Sequence, residues 1–134
     1  MKKFFLAGIL MIADQVFKFL AMKDLLPTSG GVFRYVCNPF LSWGIFLPEA
    51  LFWILWLLAF GALLVLLKRT SYDIFLLIAF SGAFSNFIDR TLYGCVIDYI
   101  KIGSFPIFNL ADTCITLGIF LFIINYFKNP SEKL

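Results

Sequence analysis

Residues 50–67 read ALFWILWLLAFGALLVLL and contain no charged side chain, and Lys68 and Arg69 follow them directly. A helix needs roughly 20 apolar residues to cross the hydrocarbon core of a bilayer, and this run has that length and composition. The stretch therefore predicts a transmembrane helix and, with it, an integral membrane protein.

Three more apolar stretches, about Phe4–Met22, Ile74–Ile88 and 112–127, complete the pattern. The first follows Lys2-Lys3 as in a signal peptide, but charged residues interrupt it and no A-x-A motif follows, so we predict a retained helix. The last two reach spanning length only when their polar ends are counted. The sequence thus predicts a mainly α-helical integral membrane protein with four transmembrane helices, as a single domain over residues 1–134.

Composition excludes several classes of protein. Of the 134 residues, 62% are hydrophobic and 14% are charged, too few charges to cover a soluble domain of this size. The net charge of +3 is scattered, which argues against a nucleic-acid partner. The chain has no histidine, which removes Ser–His and Cys–His catalysis and most zinc sites. We expect no metal and no cofactor.

The three cysteines, Cys37, Cys95 and Cys114, are odd in number and lie at no metal-like spacing. Cysteine without a reactive role packs as a small apolar residue. We therefore interpret all three as apolar filler rather than as a disulfide or a reactive thiol.

Basic residues indicate the orientation in the membrane. Lys2-Lys3 precede the first helix and Lys68-Arg69 follow the second, directly against the spans, and Lys128 and Lys133 lie on the same side. We expect both termini in the cytoplasm. The opposite loops carry Lys23, Arg34, Arg90 and Lys101.

The two outer connections have strand-like composition. Val32–Cys37 follows Gly30-Gly31, and Cys95–Ile102 lies between Gly94 and Gly103; both runs are rich in aromatic and β-branched residues. We predict that they pair as a small β-platform on the outer surface.

Four aspartates fall between the membrane midplane and the outer side. Asp14 lies roughly 15 Å into the first helix at about 1.5 Å per residue, and Asp89 ends the third helix. Asp112 begins the fourth helix, and Asp98 lies on the loop before it. An ionisable residue within a membrane is costly and normally faces the bundle interior, which favours a functional interpretation.

Structural roles remain open for several of these residues. Asp14 can pair with Lys18, one helical turn further along the same face. Asp89 and Arg90 can form an interfacial anchor or a local ion pair, and Asp112 can cap the fourth helix. Three asparagines can provide hydrogen bonds between helices: Asn38, Asn86 and Asn109.

Asp98 and Asp112 have the weaker structural explanation, and a pair of aspartates has a specific chemistry. Two carboxyl groups in one low-dielectric site cannot both ionise cheaply, so one keeps its proton. The ionised group then takes a proton from water while the neutral one polarises a carbonyl, which hydrolyses an amide. A small proton-coupled transporter or channel component that uses the same acids as a relay remains the alternative.

Five blocks of the sequence carry a family resemblance. They are Asp14-Gln15 with Lys18; Asn38 with Trp43-Gly44-Ile45; Asn86 with Asp89-Arg90; Gly94 with Val96-Ile97-Asp98-Tyr99; and Phe108-Asn109-Leu110-Ala111-Asp112 with Ile115 and Gly118. With these blocks in order over nearly its whole length, the sequence resembles the lipoprotein signal peptidases (signal peptidase II) of bacteria.

The resemblance implies four transmembrane helices with an outer β-platform, and an aspartic endopeptidase whose catalytic dyad is Asp98 and Asp112. The implied partner is a diacylglyceryl-modified prolipoprotein, cut just before the lipidated Cys by a monomer surrounded by lipids of the bacterial inner membrane. The implied substrate-binding or supporting polar shell consists of Asp14, Lys18, Asn38, Asn86, Asp89, Arg90, Asn109 and Ala111.

Three departures from the family pattern bear on the range of substrates. The block usually read N-x-G-A-A is Asn38-Pro39-Phe40-Leu41-Ser42 here, so we expect the bulky Phe40 to narrow or reshape the mouth of the pocket. Ser85 replaces the glycine that usually precedes Asn86, a change that close helix packing tolerates. Asp112 comes only 14 positions after Asp98, which predicts a reduced platform.

Overall fold

A computed structural model describes residues 2–27, 31–39, 48–70 and 73–128, with four helices and two strands in the order α1–β1–α2–α3–β2–α4. All four helices are long and apolar enough to cross a membrane, which confirms the predicted fold class. The elements are α1 (Lys2–Met22), β1 (Phe33–Asn38), α2 (Glu49–Arg69), α3 (Ile74–Tyr93), β2 (Val96–Ile100) and α4 (Leu110–Lys128).

Helix α3 extends further than its apolar residues indicate. It begins at the Asp73 cap, whose side chain accepts the Phe75 N–H at 2.8 Å, and it ends at Gly94. Gly94 has φ +72°, the left-handed conformation that commonly terminates a helix. Asp89 and Arg90 therefore lie within the last turns of α3, whereas the sequence placed them at its end.

Helix α3 is the centre of the bundle, and α4 and α1 pack most extensively against it. Small residues allow α3 and α4 to approach closely, as is common between transmembrane helices. A Cβ atom at Gly82 would overlap the backbone carbonyl of Ala111, and one at Gly118 would lie 2.6 Å from the Phe75 carbonyl oxygen. Helix α2 contacts α3 less extensively, through rings such as the stacked pair Trp56 and Phe87.

The platform is an antiparallel pair of strands in which Val36 lies opposite Asp98. Beyond the pair, Ile100 exchanges two backbone hydrogen bonds with Phe108, at 2.8 and 3.0 Å. This second pairing returns the chain to the beginning of α4. The predicted β-platform is confirmed, and it brings β2 beside the N-terminus of α4.

Cys37 on β1 and Cys95, the residue before β2, form a disulfide, with Cα atoms 5.5 Å apart. The interpretation of these two residues as apolar filler is therefore wrong. Their 58-residue separation gave no indication of pairing, because the contact follows from a strand register that places Cys37 opposite Ile97. The remaining cysteine, Cys114, is a buried free thiol and does pack as an apolar residue.

Substitution of Gly82 by Ala tests the close approach of α3 and α4. The added methyl group would push against the Ala111 carbonyl, and overpacking of this kind typically costs about 1–3 kcal/mol of stability. We expect thermal unfolding of the purified protein at a clearly lower temperature. The control is Gly61→Ala in α2, where a Cβ meets nothing within 4 Å, and its unfolding temperature should be unchanged or higher. Equal unfolding temperatures for the two variants would contradict this packing.

Candidate active site

Four buried charged residues gather where α1, α3 and β2 meet below the platform. Asp14 and Lys18 on α1, Asp89 on α3 and Asp98 on β2 are each no more than 2% exposed. An unpaired ion in such a setting costs several kcal/mol, so each of these groups requires a partner within the protein.

Lys18 lies at the centre of this cluster. Its Nζ atom is 2.6 Å from Asp14 Oδ2 and 2.7 Å from Asp89 Oδ2, and it donates to Asn86 Oδ1 at 2.8 Å. The three N–H bonds of the ammonium group are thus matched by three acceptors. The anticipated pair of Asp14 with Lys18 is present, as part of a larger network.

Asp89 pairs with Lys18 rather than with its neighbour Arg90, because consecutive residues of a helix do not face each other. The ammonium group that pairs with Asp89 therefore comes from another helix. Asp89 Oδ2 also accepts the Ile97 N–H at 3.1 Å, which ties α3 to β2. Arg90 lies over the Phe52 ring, 4.3 Å from its centroid, and donates to the Pro39 carbonyl at 3.5 Å.

Asp14 holds the beginning of α4 from the neighbouring helix α1. Its Oδ1 atom accepts the Ala111 N–H and the Tyr99 hydroxyl, both at 3.1 Å, and its Oδ2 atom accepts the Ser85 hydroxyl at 2.7 Å. The Tyr99 oxygen in turn accepts the Leu110 N–H at 3.2 Å. The first N–H groups of a helix have no partner within it and attract negative charge, so this carboxylate fixes where α4 starts.

Asn109 and Asp112 complete the start of α4 by bonding reciprocally. The Asp112 N–H donates to Asn109 Oδ1 at 2.7 Å, and Asp112 Oδ2 accepts the Asn109 N–H at 3.4 Å. This is a capping-box arrangement with Asn109 as the cap, which corrects the suggestion that Asp112 is the capping residue. It leaves Asp112 Oδ1 directed at another partner.

A chain of two amide side chains connects Asp112 to Asp98. Asn86 Nδ2 donates to Asp112 Oδ1 at 2.8 Å, and Asn109 Nδ2 donates to Asp98 Oδ1 at 2.8 Å. The two amides are joined, since Asn109 Nδ2 also lies 3.1 Å from Asn86 Oδ1. Asn38 on β1 donates to the other oxygen of Asp98 at 3.0 Å. Both carboxyl groups are thereby held in fixed orientations on one side of the site.

Burial raises the pKa of Asp98, which lies on β2 outside the four spans, to about 7. Hydrogen bonds from Asn38 and Asn109 lower this pKa, and the neighbouring charge of Asp112 raises it. A carboxyl group with a pKa near neutrality can exchange its proton at physiological pH. Burial beside Asp14 raises the pKa of Tyr99, which therefore stays a neutral hydrogen-bond donor.

Both carboxyl groups line a cavity of about 830 Å³ between α2, α3 and α4. Polar side chains are concentrated at its platform end, where Asn38, Asn86 and Arg90 accompany the two aspartates. Toward the opposite end the wall is apolar, with residues such as Phe60, Leu66, Leu76 and Ile123. The arrangement presents two carboxyl groups to a ligand whose remaining parts are apolar.

The structure brings together the predicted site residues, whereas Phe40 and the block Trp43-Gly44-Ile45 lie outside the described residues. It also adds Gln15, Ser85 and Tyr99 to the hydrogen-bond network. Gln15 Nε2 donates to the Ser85 hydroxyl and to Asp89 Oδ1, both at 2.9 Å. A signal for Gln15 was available, because a polar residue three positions before Lys18 lies beside it on the surface of the helix. Among the described residues, no group of three His, Cys, Asp or Glu side chains is placed to hold a metal ion.

Comparisons with known proteins agree on one family. The sequence profile of signal peptidase (SPase) II matches residues 6–128. Lipoprotein signal peptidases of Staphylococcus aureus strains MRSA252 and JH9 are each 33% identical to the chain, over 98% of this chain and 95% of their own length. Two solved bacterial membrane enzymes, determined by the in meso method at 2.3 and 1.9 Å, are each 29% identical. They superpose with TM-scores of 0.82 and 0.79, covering 99% and 96% of this chain and 92% and 94% of theirs.

Proposed function

The chain belongs to the signal peptidase II family and is an aspartic endopeptidase that processes lipoproteins, and from this premise we propose that Asp98 and Asp112 are its catalytic dyad. The observation that carries the proposal is the amide chain through Asn86 and Asn109. It orients carboxyl groups from β2 and α4 toward one cavity. Both carboxyl groups and the amides come from one chain, so we also propose that a monomer is active.

The mechanism follows from one proton shared between the two carboxyl groups. The ionised group removes a proton from a water molecule, whose oxygen attacks the carbonyl carbon of the scissile amide. The protonated group donates to the carbonyl oxygen, and a tetrahedral intermediate forms. As the C–N bond breaks, the leaving nitrogen takes up a proton from the dyad. The two groups titrate as a pair, so each holds the proton at a different stage.

The substrate that we propose is a prolipoprotein whose Cys already carries diacylglyceryl, cut just before that Cys. The shape of the cavity supports this choice. Its α2 wall runs from Phe52 to Leu66, about 21 Å at the rise of an α-helix, and it is apolar away from the carboxyl groups. Such a cavity accommodates apolar parts of the precursor while the scissile amide stays beside Asp98 and Asp112.

We propose that both termini lie in the cytoplasm and that the platform faces outward. Lys68 and Arg69 at the end of α2 favour this orientation, since basic residues are retained on the cytoplasmic side. The disulfide between Cys37 and Cys95 supports it independently, because disulfides persist in oxidising compartments and are rare in the cytosol.

The transporter alternative is not favoured, given the family of the chain. A proton relay requires ionisable groups through both halves of the membrane. Among the described residues, the buried charges lie at the platform end, except for Asp73, which caps the opposite end of α3.

Asn substitution tests the dyad. We expect Asp98→Asn and Asp112→Asn each to lower the cleavage rate by about 1,000-fold or more, because an amide can neither accept nor hold the required proton. Cleavage is measured by incubating the purified protein with a diacylglyceryl-modified precursor and following the shortened product by gel shift. Light scattering of the active protein should give the mass of one chain. The control is Asp24→Asn, the same change at an exposed position, which should cleave normally. Near-normal cleavage by a folded dyad variant would refute the assignment.

The pH dependence of cleavage tests the shared proton. Because the pKa of Asp98 is raised to about 7, the pair loses its remaining proton as the pH rises through that value, and the cleavage rate should fall on the alkaline side. The hydrogen bond from Asn38 lowers this pKa, so Asn38→Ala should move the alkaline limb to higher pH. Unfolding temperatures at each pH separate this effect from denaturation. If the alkaline limb of Asn38→Ala stayed in place or moved to lower pH, the proposed role of the Asp98 proton would be contradicted.

Reporter fusions test the orientation. Alkaline phosphatase fused after residue 134 should be inactive and a green fluorescent protein at the same place should fluoresce, since phosphatase folds only outside the cytoplasm. Insertion of either reporter at Gly103, which follows β2, should give the opposite pattern and serves as the control. An active phosphatase at the C-terminus would reverse the proposed orientation.

A further inference from the structure

The amide of Asn86 lies between a cation and a catalytic carboxyl group. Its oxygen accepts from Lys18 Nζ at 2.8 Å and from Asn109 Nδ2 at 3.1 Å, while its nitrogen donates to Asp112 Oδ1 at 2.8 Å. The amide oxygen of Asn86 therefore faces hydrogen-bond donors, and its nitrogen faces an acceptor.

The alternative orientation of this amide is unfavourable at both ends. Turned by 180°, the Asn86 nitrogen would face the Lys18 ammonium, which has donors and no acceptor. The Asn86 oxygen would then face the Asp112 carboxyl oxygen and leave it without this donor. A buried polar group that loses its hydrogen-bond partner is destabilising, so the cation selects the observed orientation.

Lys18 is itself held in a fixed position, so it can fix the orientation of the Asn86 amide. Asp14 on the same helix and Asp89 on α3 hold its ammonium from two directions, and the side chain is 1% exposed. Because these two carboxylates more than balance its single positive charge, a purely structural account needs only those ion pairs. The third contact, to Asn86, is the one that reaches toward the dyad.

We infer that Lys18 is a positioning residue for peptide cleavage, which fixes the Asn86 amide so that its N–H bond is directed at Asp112. This inference rests on the proposed function, since it assigns Lys18 a part in orienting the dyad. Lys18 touches neither the substrate nor the reacting atoms in this arrangement. It acts through Asn86, by holding Asp112 at the angle that proton transfer requires.

The experiment must separate this role from the stability of the ion pairs. Lys18→Met alone leaves two buried carboxylates facing each other and is expected to fold poorly. The variant Lys18→Met/Asp89→Asn removes the ammonium group. The net charge of positions 14, 18 and 89 stays at −1, as in the wild-type protein, because Asp14 remains. Asn at position 89 keeps an oxygen for the Ile97 N–H. Asp89→Asn alone is the matched reference, because it retains Lys18.

We expect kcat of Lys18→Met/Asp89→Asn to be about 100-fold below that of Asp89→Asn, with KM within about threefold, because misorientation affects the chemical step. Adding Asn86→Ala to each of the two completes a double-mutant cycle. Once Asn86 is absent, loss of Lys18 should lower kcat by no more than about threefold further. Thermal unfolding of all four proteins accompanies the kinetics.

Two results would overturn the inference while leaving the dyad intact. One is a folded Lys18→Met/Asp89→Asn protein whose kcat stays within about threefold of the Asp89→Asn reference. The other is a cycle in which the Lys18 and Asn86 effects multiply independently, which would show that Lys18 does not act through Asn86. Failure of the wild-type protein to cleave the lipidated precursor would instead overturn the proposed function and this inference with it.

Discussion

A buried charge in a membrane protein must find its partner within the protein, because the hydrocarbon core supplies no water to solvate it. Lys18 is the partner of two buried carboxylates at once, with its Nζ atom 2.6 Å from Asp14 and 2.7 Å from Asp89. Since the carboxylates lie on α1 and α3, the single cation fixes the depth and rotation of one helix against the other. Among the described residues, no buried side-chain nitrogen or oxygen lacks a hydrogen-bond partner.

The same network extends from the helices to Asp98 and Asp112. Asp14 accepts backbone N–H bonds at the start of α4, so the helix that carries Asp112 begins at a point set by α1. Asp89 accepts the N–H of Ile97, the residue before Asp98, so the strand that carries the second carboxyl group is set by α3. The element that carries each catalytic candidate is thus held by an aspartate from another helix. The polar groups are accordingly a connected unit, in which loss of one member disturbs several others.

Several features were predictable from the sequence because they depend on local composition. An uncharged run such as residues 50–67 has few stable locations other than a bilayer, and the pairing of Asp14 with Lys18 follows from their spacing on one helical turn. The end of α3 was less predictable. Its last turns carry Asp89 and Arg90. From composition alone, such a polar helix end cannot be distinguished from a loop, because the partners of its side chains lie on other elements.

Local composition predicts four spans whose boundaries agree with the helices to within two residues, except at the C-terminal end of α3, because span length and helical rise are fixed by the bilayer and the backbone. Which groups meet depends on the packing of distant segments. Asp14 accepts from Ala111 across 97 positions, Gln15 donates to Asp89 across 74, and Cys37 bonds to Cys95 across 58. Such contacts depend on how α1, α3 and α4 pack and on the register of β1 with β2. No local pattern of residues encodes them, because they arise only when distant segments are brought together.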